Sequence, residues 1–198
     1  RNLEEINRNG SQVIRFASRY IDEFQKPLKG YPDYFNPKLE KSEDSFYRNL
    51  LGQSRSSLSE YTFSKTSFRK FGFYNYPLAW HSDDRAWLEF TDGNEIYSIN
   101  EAIVEVRVTQ ESITGKKDNE IVKQKARAQF YEFILSENQF NFTRKQNINI
   151  LLYYGILIQN QKPLSITKVS FIFISLIKLL SFYNALRFVR RIIRSQFR

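Results

Sequence analysis

The last 34 residues constrain this chain most. From Ser165 they read SITKVSFIFISLIKLLSFYNALRFVRRIIRSQFR, an apolar stretch that turns into an arginine-studded tail. So much apolar side chain has to be covered by a membrane, by a partner or by the rest of the chain, because its exposure costs free energy in proportion to area. On a wheel of about 100° per residue the stretch has two halves. Val169 to Tyr183 is apolar all round, interrupted by Ser170, Ser175, Lys178 and Ser181. Between Asn184 and Arg194 the polar residues Asn184, Arg187, Arg190, Arg191 and Arg194 share one arc, and Ala185, Leu186, Phe188, Val189, Ile192 and Ile193 take the other side. That second half has the pattern of a cationic amphipathic helix.

Three settings suit it. As a transmembrane span, Val169 to Leu186 would reach about 27 Å against a hydrocarbon core of about 30 Å, with Lys178 near the midplane at a cost of about 3 kcal/mol. As an interfacial helix, residues 184–198 combine apolar insertion with attraction to anionic headgroups. As core, the apolar half is buried in its own domain and the arginines are its solvated end. Phe171 and Phe173 also alternate within a β-branched run, so one more strand over Val169 to Ile174 is a further reading.

Charge points the same way. The chain carries 30 Lys and Arg against 21 Asp and Glu, a formal +9, which favours anionic partners such as an acidic lipid surface, nucleic acid or an acidic protein. Cysteine is absent, which excludes disulfides, thiolate catalysis and cysteine-held zinc or iron–sulfur centres. His81 is the only histidine, which excludes a multi-histidine metal site. A chain that starts at Arg1 and contains no methionine is expected to have lost its natural start. Its first ten residues lack the apolar stretch of a signal peptide.

At 41% apolar and 16% aromatic, 198 residues suffice for one domain with a full core. Ile6, Val13, Ile14, Ala17, Tyr20, Ile21 and Phe24 recur at helical spacing and predict an N-terminal helix over 3–26, firm from Ser11. Pro27, Pro32 and Pro37 make 27–45 a loop, and Ser42 to Leu51 a short helix. From Tyr61 the alternation predicts an antiparallel sheet over about 61–113. It includes Phe71 to Tyr76, a hairpin pairing Ala86–Phe90 with Glu95–Ile99 around Asp92-Gly93, and a strand over 103–113. A helix follows at 120–138, then a buried strand at 147–159, then the C-terminal helix. The expectation is an α+β fold: a single domain over 1–163 and a C-terminal segment over 164–198.

Arg69-Lys-Phe-Gly-Phe-Tyr-Asn-Tyr76 resembles the RNA-recognition-motif signature, departing at Lys70, where the family has glycine, and at Tyr74, where it has a small aliphatic residue. The resemblance implies nucleic-acid contact through Arg69, Lys70, Phe71, Phe73 and Tyr76, with rings stacking on bases and cations holding phosphates. Asp92 and Glu105-Val-Arg107 have a loose shape of a magnesium nuclease core, with arginine where the activating lysine belongs. His81, Asp83 and Asp84 fit a helix-capping turn better than a metal site, and Asn141-Phe-Thr143 matches a glycosylation sequon. No phosphate-binding loop, dinucleotide fingerprint or nucleophile elbow occurs, and neither a cofactor nor a small-molecule substrate is indicated.

The expected role is therefore a non-enzymatic binding or assembly component of a larger complex. Arg187, Arg190, Arg191 and Arg194 supply its electrostatic contacts to an acidic membrane surface or a partner protein, and Phe188, Val189, Ile192 and Ile193 its apolar face. RNA binding, or association with the ribosome, is the alternative, and a magnesium-dependent nuclease the second alternative.

Overall fold

The computed structural model describes residues 11–108, 119–136, 140–159 and 163–196. It is an α+β protein, and its internal contacts divide it into two compact units, Arg1–Ala126 and Arg127–Arg198.

The first unit is built on a four-stranded mixed sheet in the order β2-β4-β1-β3. Its strands are β1 (Val13–Ile21), β2 (Leu39–Lys41), β3 (Tyr61–Phe63) and β4 (Glu95–Arg107). β1 pairs parallel with β4 and antiparallel with β3, and β2 pairs antiparallel with β4. The N-terminal helix expected from the spacing is thus a central strand. A strand covered on both faces carries apolar side chains at successive positions, and these fall by coincidence on helical spacings as well. Val13, Ile14, Ala17 and Ile21 are all buried, and the Val, Ile, Phe and Tyr content of 13–21 is the signal that favours the strand.

The sheet is also mixed where a purely antiparallel one was expected. α1 (Ser42–Leu50) follows β2, α2 (Lys65–Phe71) follows β3, and α3 (Ser82–Phe90) leads into β4. The expected hairpin is therefore a helix–turn–strand. Asp92 and Gly93 do take positive φ, at 50° and 81°, but they join α3 to β4. Ala86, Trp87 and Phe90 are buried on one helical face, a pattern that short alternation imitates. Phe71 to Tyr76 is likewise the end of α2 and the loop after it, with no strand.

On one face of the sheet Val13, Tyr61, Ala86, Trp87, Phe90 and Ile96 form a core, with Tyr61 stacked on Trp87 at 4.1 Å. On the other, Ile14, Tyr97 and Ile99 pack with Phe16 and Ala102. The register jumps between Phe16 and Ala17, whose partners are Ile99 and Ile103. Asn100, inside this bulge, exchanges two hydrogen bonds with the Asn36 backbone, at 3.1 and 2.8 Å. Beyond it Ala102, Val104 and Val106 turn inward and Ile103, Glu105 and Arg107 outward, as the alternation predicts. Residues 109–113 of the expected strand lie outside the described residues.

The second unit is helical. α4 (Glu120–Ser136), which carries the boundary between the units, is the helix expected at 120–138, whose last two residues lie outside the described residues. It is followed by α5 (Arg144–Gln159), α6 (Ile166–Lys178) and α7 (Phe182–Gln196). The strand expected at 147–159 is α5. Thr143 and Gln146 form a capping box at its start: the Gln146 amide donates to Thr143 Oγ1 at 3.3 Å and the Thr143 amide to Gln146 Oε1 at 2.7 Å. Gln146, Ile150, Leu151, Tyr154, Gly155 and Ile158 then form its buried stripe. Among the described residues no helix is long and apolar enough to cross a membrane.

Candidate contact surface on the C-terminal helices

The apolar C-terminal stretch breaks into two helices at a junction that contains neither glycine nor proline. Leu180 sits in the left-handed region, with φ 51°. Its amide donates to the Ile177 carbonyl at 2.8 Å and the Ser181 amide to the Leu176 carbonyl at 3.0 Å, which is a Schellman end. Arg144, from the first turn of α5, completes the junction. Its Nε donates to the Leu179 carbonyl at 2.7 Å and its Nη2 to the Leu180 carbonyl at 3.0 Å. The negative end of α6 is thereby held by a guanidinium.

α7 has three faces. Ala185, Phe188 and Ile192 fall in one arc of about 60° and are buried. Phe188 lies against Gly155 of α5. Next to that arc, Phe182, Leu186 and Ile193 share a second arc of about 40°, and they are 57%, 68% and 53% exposed. Val189, half-buried, lies between the two. The third face carries Tyr183, Arg187, Arg190 and Arg194, all exposed, with Arg191 half-buried. Of the apolar face expected from sequence, Phe188 and Ile192 are therefore core residues and Ile193 alone is exposed. The exposed stripe runs instead through Phe182 and Leu186. Its signal was in the wheel, where Phe188 and Ile193 stand about 140° apart.

Charge separates sharply between the units. Residues 1–126 hold 19 basic and 19 acidic side chains, whereas 127–198 hold 11 basic and 2 acidic. All of the net +9 therefore resides in the helical unit. One of its two acids, Glu132, is already engaged, accepting from Tyr154 Oη at 2.6 Å and from Lys168 Nζ at 2.5 Å. Burial and this carboxylate together push the Tyr154 phenol far above its usual range. On α6, Phe171 and Ile174 are also exposed, as is Leu180 in the junction after it, while Ile172 and Leu176 are buried.

The aromatic–basic octet shares no single exposed face. Arg69 and Lys70 are exposed on α2, and Lys70 is bound to Asp92 at 2.7 Å. Phe71 packs on Phe90, Phe73 meets Phe63, Trp87 and Phe90, and Tyr76 is 2% exposed. The strand that the RNA-recognition signature requires is not formed there. Asp92 lies in the turn before β4 and Glu105 near the far end of that strand. Tyr97 and Glu105 pair with Ile14 and Arg19, five residues apart on β1 and so separated by about 17 Å. No group of three or more metal-ligating side chains occurs among the described residues.

Buried charge in the first unit is structural. Arg15, 1% exposed, donates to Glu40 at 2.7 Å, to Ser45 at 2.6 Å and to Ser98 at 3.2 Å, and Arg48 binds the other Glu40 oxygen at 2.6 Å. Burial alone would raise the Glu40 carboxyl, but the bonds from Arg48 and Arg15 outweigh it and hold it below its usual value. Around His81, which has φ 67°, Nδ1 stands 2.6 Å from Asp84. Burial and the neighbouring Asp84 charge raise Asp83 to about 7.

No family model matches the chain, and no curated protein or solved structure is similar to it.

Proposed function

We propose that this protein is a non-enzymatic binding component that attaches to an anionic membrane surface through α7. The observation that carries the reading is the exposed Phe182–Leu186–Ile193 stripe beside Arg187, Arg190 and Arg194, in a unit that holds the whole net charge. An interfacial helix needs both parts: side chains that leave water for the acyl boundary, and cations level with the headgroups. Each Lys or Arg near such a surface contributes about 1 kcal/mol, and the attraction fades within a Debye length. The inner face of α7, anchored at Phe188, fixes the orientation in which the other two faces are presented.

Partitioning of the full chain onto phosphatidylcholine vesicles, with and without phosphatidylserine, tests this. Binding is expected only with phosphatidylserine. The triple variant Arg187→Gln, Arg190→Gln, Arg194→Gln should weaken it by about a hundredfold, from about 1 kcal/mol per cation. Equal partitioning on both vesicle types, or none on either, sinks the reading.

A further inference from the structure

A cleft of about 350 Å³ opens in the helical unit, lined by Arg144, Lys145, Ile148 and Asn149 of α5 and by Asn184 of α7. We infer that it is a binding site for a phosphate oxyanion, presented either by a lipid headgroup or as a free phosphate. The inference deepens the membrane reading, and rests on it for the lipid source. Among the described residues no carboxylate lines the cleft. Its volume lies at the lower end of small-ligand sites, enough for a phosphorylated headgroup and too small for acyl chains.

The strongest reason is where the cations stand. Arg144 and Lys145 are the first two residues of a 16-residue helix, whose first turn holds no acid. Helix dipoles disfavour cations there. Arg144 is compensated, because its Nε and Nη2 are bound to the carbonyl end of α6. Those bonds also fix its guanidinium at the cleft. Lys145 is exposed and has no ion-pair partner among the described residues. The first turn of α7, which contributes Asn184, likewise holds no acid. An oxyanion in the cleft removes the repulsion between Lys145 and the positive end of α5, and gains charge-assisted hydrogen bonds from Lys145 and from Arg144 Nη1, the guanidinium nitrogen left over by the bonds of Nε and Nη2 to the α6 carbonyls. Asn184 donates its amide to Ser181 at 2.7 Å, which holds it as a fixed polar wall.

The test compares the full chain with Lys145→Glu, a change that suits the helix start and reverses the charge in the cleft. Thermal unfolding is followed in inorganic phosphate, in glycerol phosphate and in chloride at matched ionic strength, alongside binding to vesicles containing phosphatidic acid. The native chain should gain stability in both phosphates over chloride. Lys145→Glu should melt higher in chloride and lose the phosphate response. About tenfold weaker vesicle binding by Lys145→Glu identifies a lipid headgroup, from the loss of one charge-assisted bond. Unchanged vesicle binding with a lost phosphate response identifies a free phosphate. A phosphate response without any vesicle binding by the native chain removes the membrane reading and keeps the cleft. No stabilisation beyond chloride, or an equal one in both proteins, overturns the site.

Discussion

The ring of Phe188 lies so close over Gly155 that a β-carbon at that position would sit 2.7 Å from Cε2. This contact seats α7 on α5 and decides which of its faces is presented outward. Gly155→Ala must displace a buried ring and should destabilise the helical unit by about 1–3 kcal/mol. Phe188→Ala leaves a cavity in the same place and should cost about 3–5 kcal/mol. Urea titrations followed by far-ultraviolet circular dichroism measure both, and a neutral Gly155→Ala would show that α7 is not held there.

Leu180 makes the opposite prediction. It occupies a left-handed position without glycine's freedom, and its side chain is exposed. Leu180→Gly removes the strain but gives the unfolded chain more entropy, for a net gain of about 0.5–1 kcal/mol. A lower melting temperature would mean that the leucine side chain holds the junction.

Glu40 ties two arginines together, one of them Arg15 in the sheet core. Glu40→Ala leaves that guanidinium buried without its counter-charge and should destabilise by about 3–5 kcal/mol in chemical denaturation. Because the folded carboxyl lies below its ordinary value of 4.5, the native state releases its proton more readily than the unfolded one. The stabilisation is complete above that value and disappears as pH falls through the lower folded one, so Glu40→Ala and the native chain should converge in acid.

Asp83 has the reverse dependence. Its carboxyl is raised from 3.8 to about 7, by burial first and by the adjacent Asp84 charge second, so the folded state holds a proton that the unfolded state has released. Stability then decreases as pH rises from 3.8 to 7 and levels off above. Asp83→Asn should gain on the native chain across that window in melting temperature. A difference independent of pH would contradict the assignment.

The two exposed faces of α7 separate by salt. Vesicle affinity of the native chain should fall as ionic strength rises, whereas Leu186→Ser combined with Ile193→Ser should lower affinity at every salt concentration, by about tenfold or more from lost apolar burial. Equal salt dependence without loss of affinity in the double variant would remove the apolar stripe from the contact.

Much of the fold was readable where one pattern had one explanation. α4, α1, the alternation of Ala102 to Arg107 and the cationic arc of α7 are all of that kind. Errors gathered where two periods overlap. In β1, burial on both faces placed apolar residues at helical spacing, and in α5 an Ile- and Tyr-rich run concealed the Thr143–Gln146 capping box. The break at Leu180 had no local mark, because Arg144, 36 residues away, supplies the carbonyl partners that glycine motifs manage without. The cleft was illegible for a related reason, since Lys145 and Asn184 are brought together only by tertiary packing.

The parallel pairing of β1 with β4 has a consequence for biosynthesis. β1 ends at Ile21 and β4 does not begin until Glu95, so the sheet's central strand waits for more than seventy further residues before its longest partner exists. Loop closure of that length makes sheet formation the slow step, whereas the later helices meet their sequence neighbours as they leave the ribosome. Until Arg107 has emerged, β1 keeps an unpaired edge that invites association with other nascent chains. The order of synthesis therefore puts the aggregation hazard in the unit whose charges cancel, before the strongly cationic unit has been made to keep copies apart.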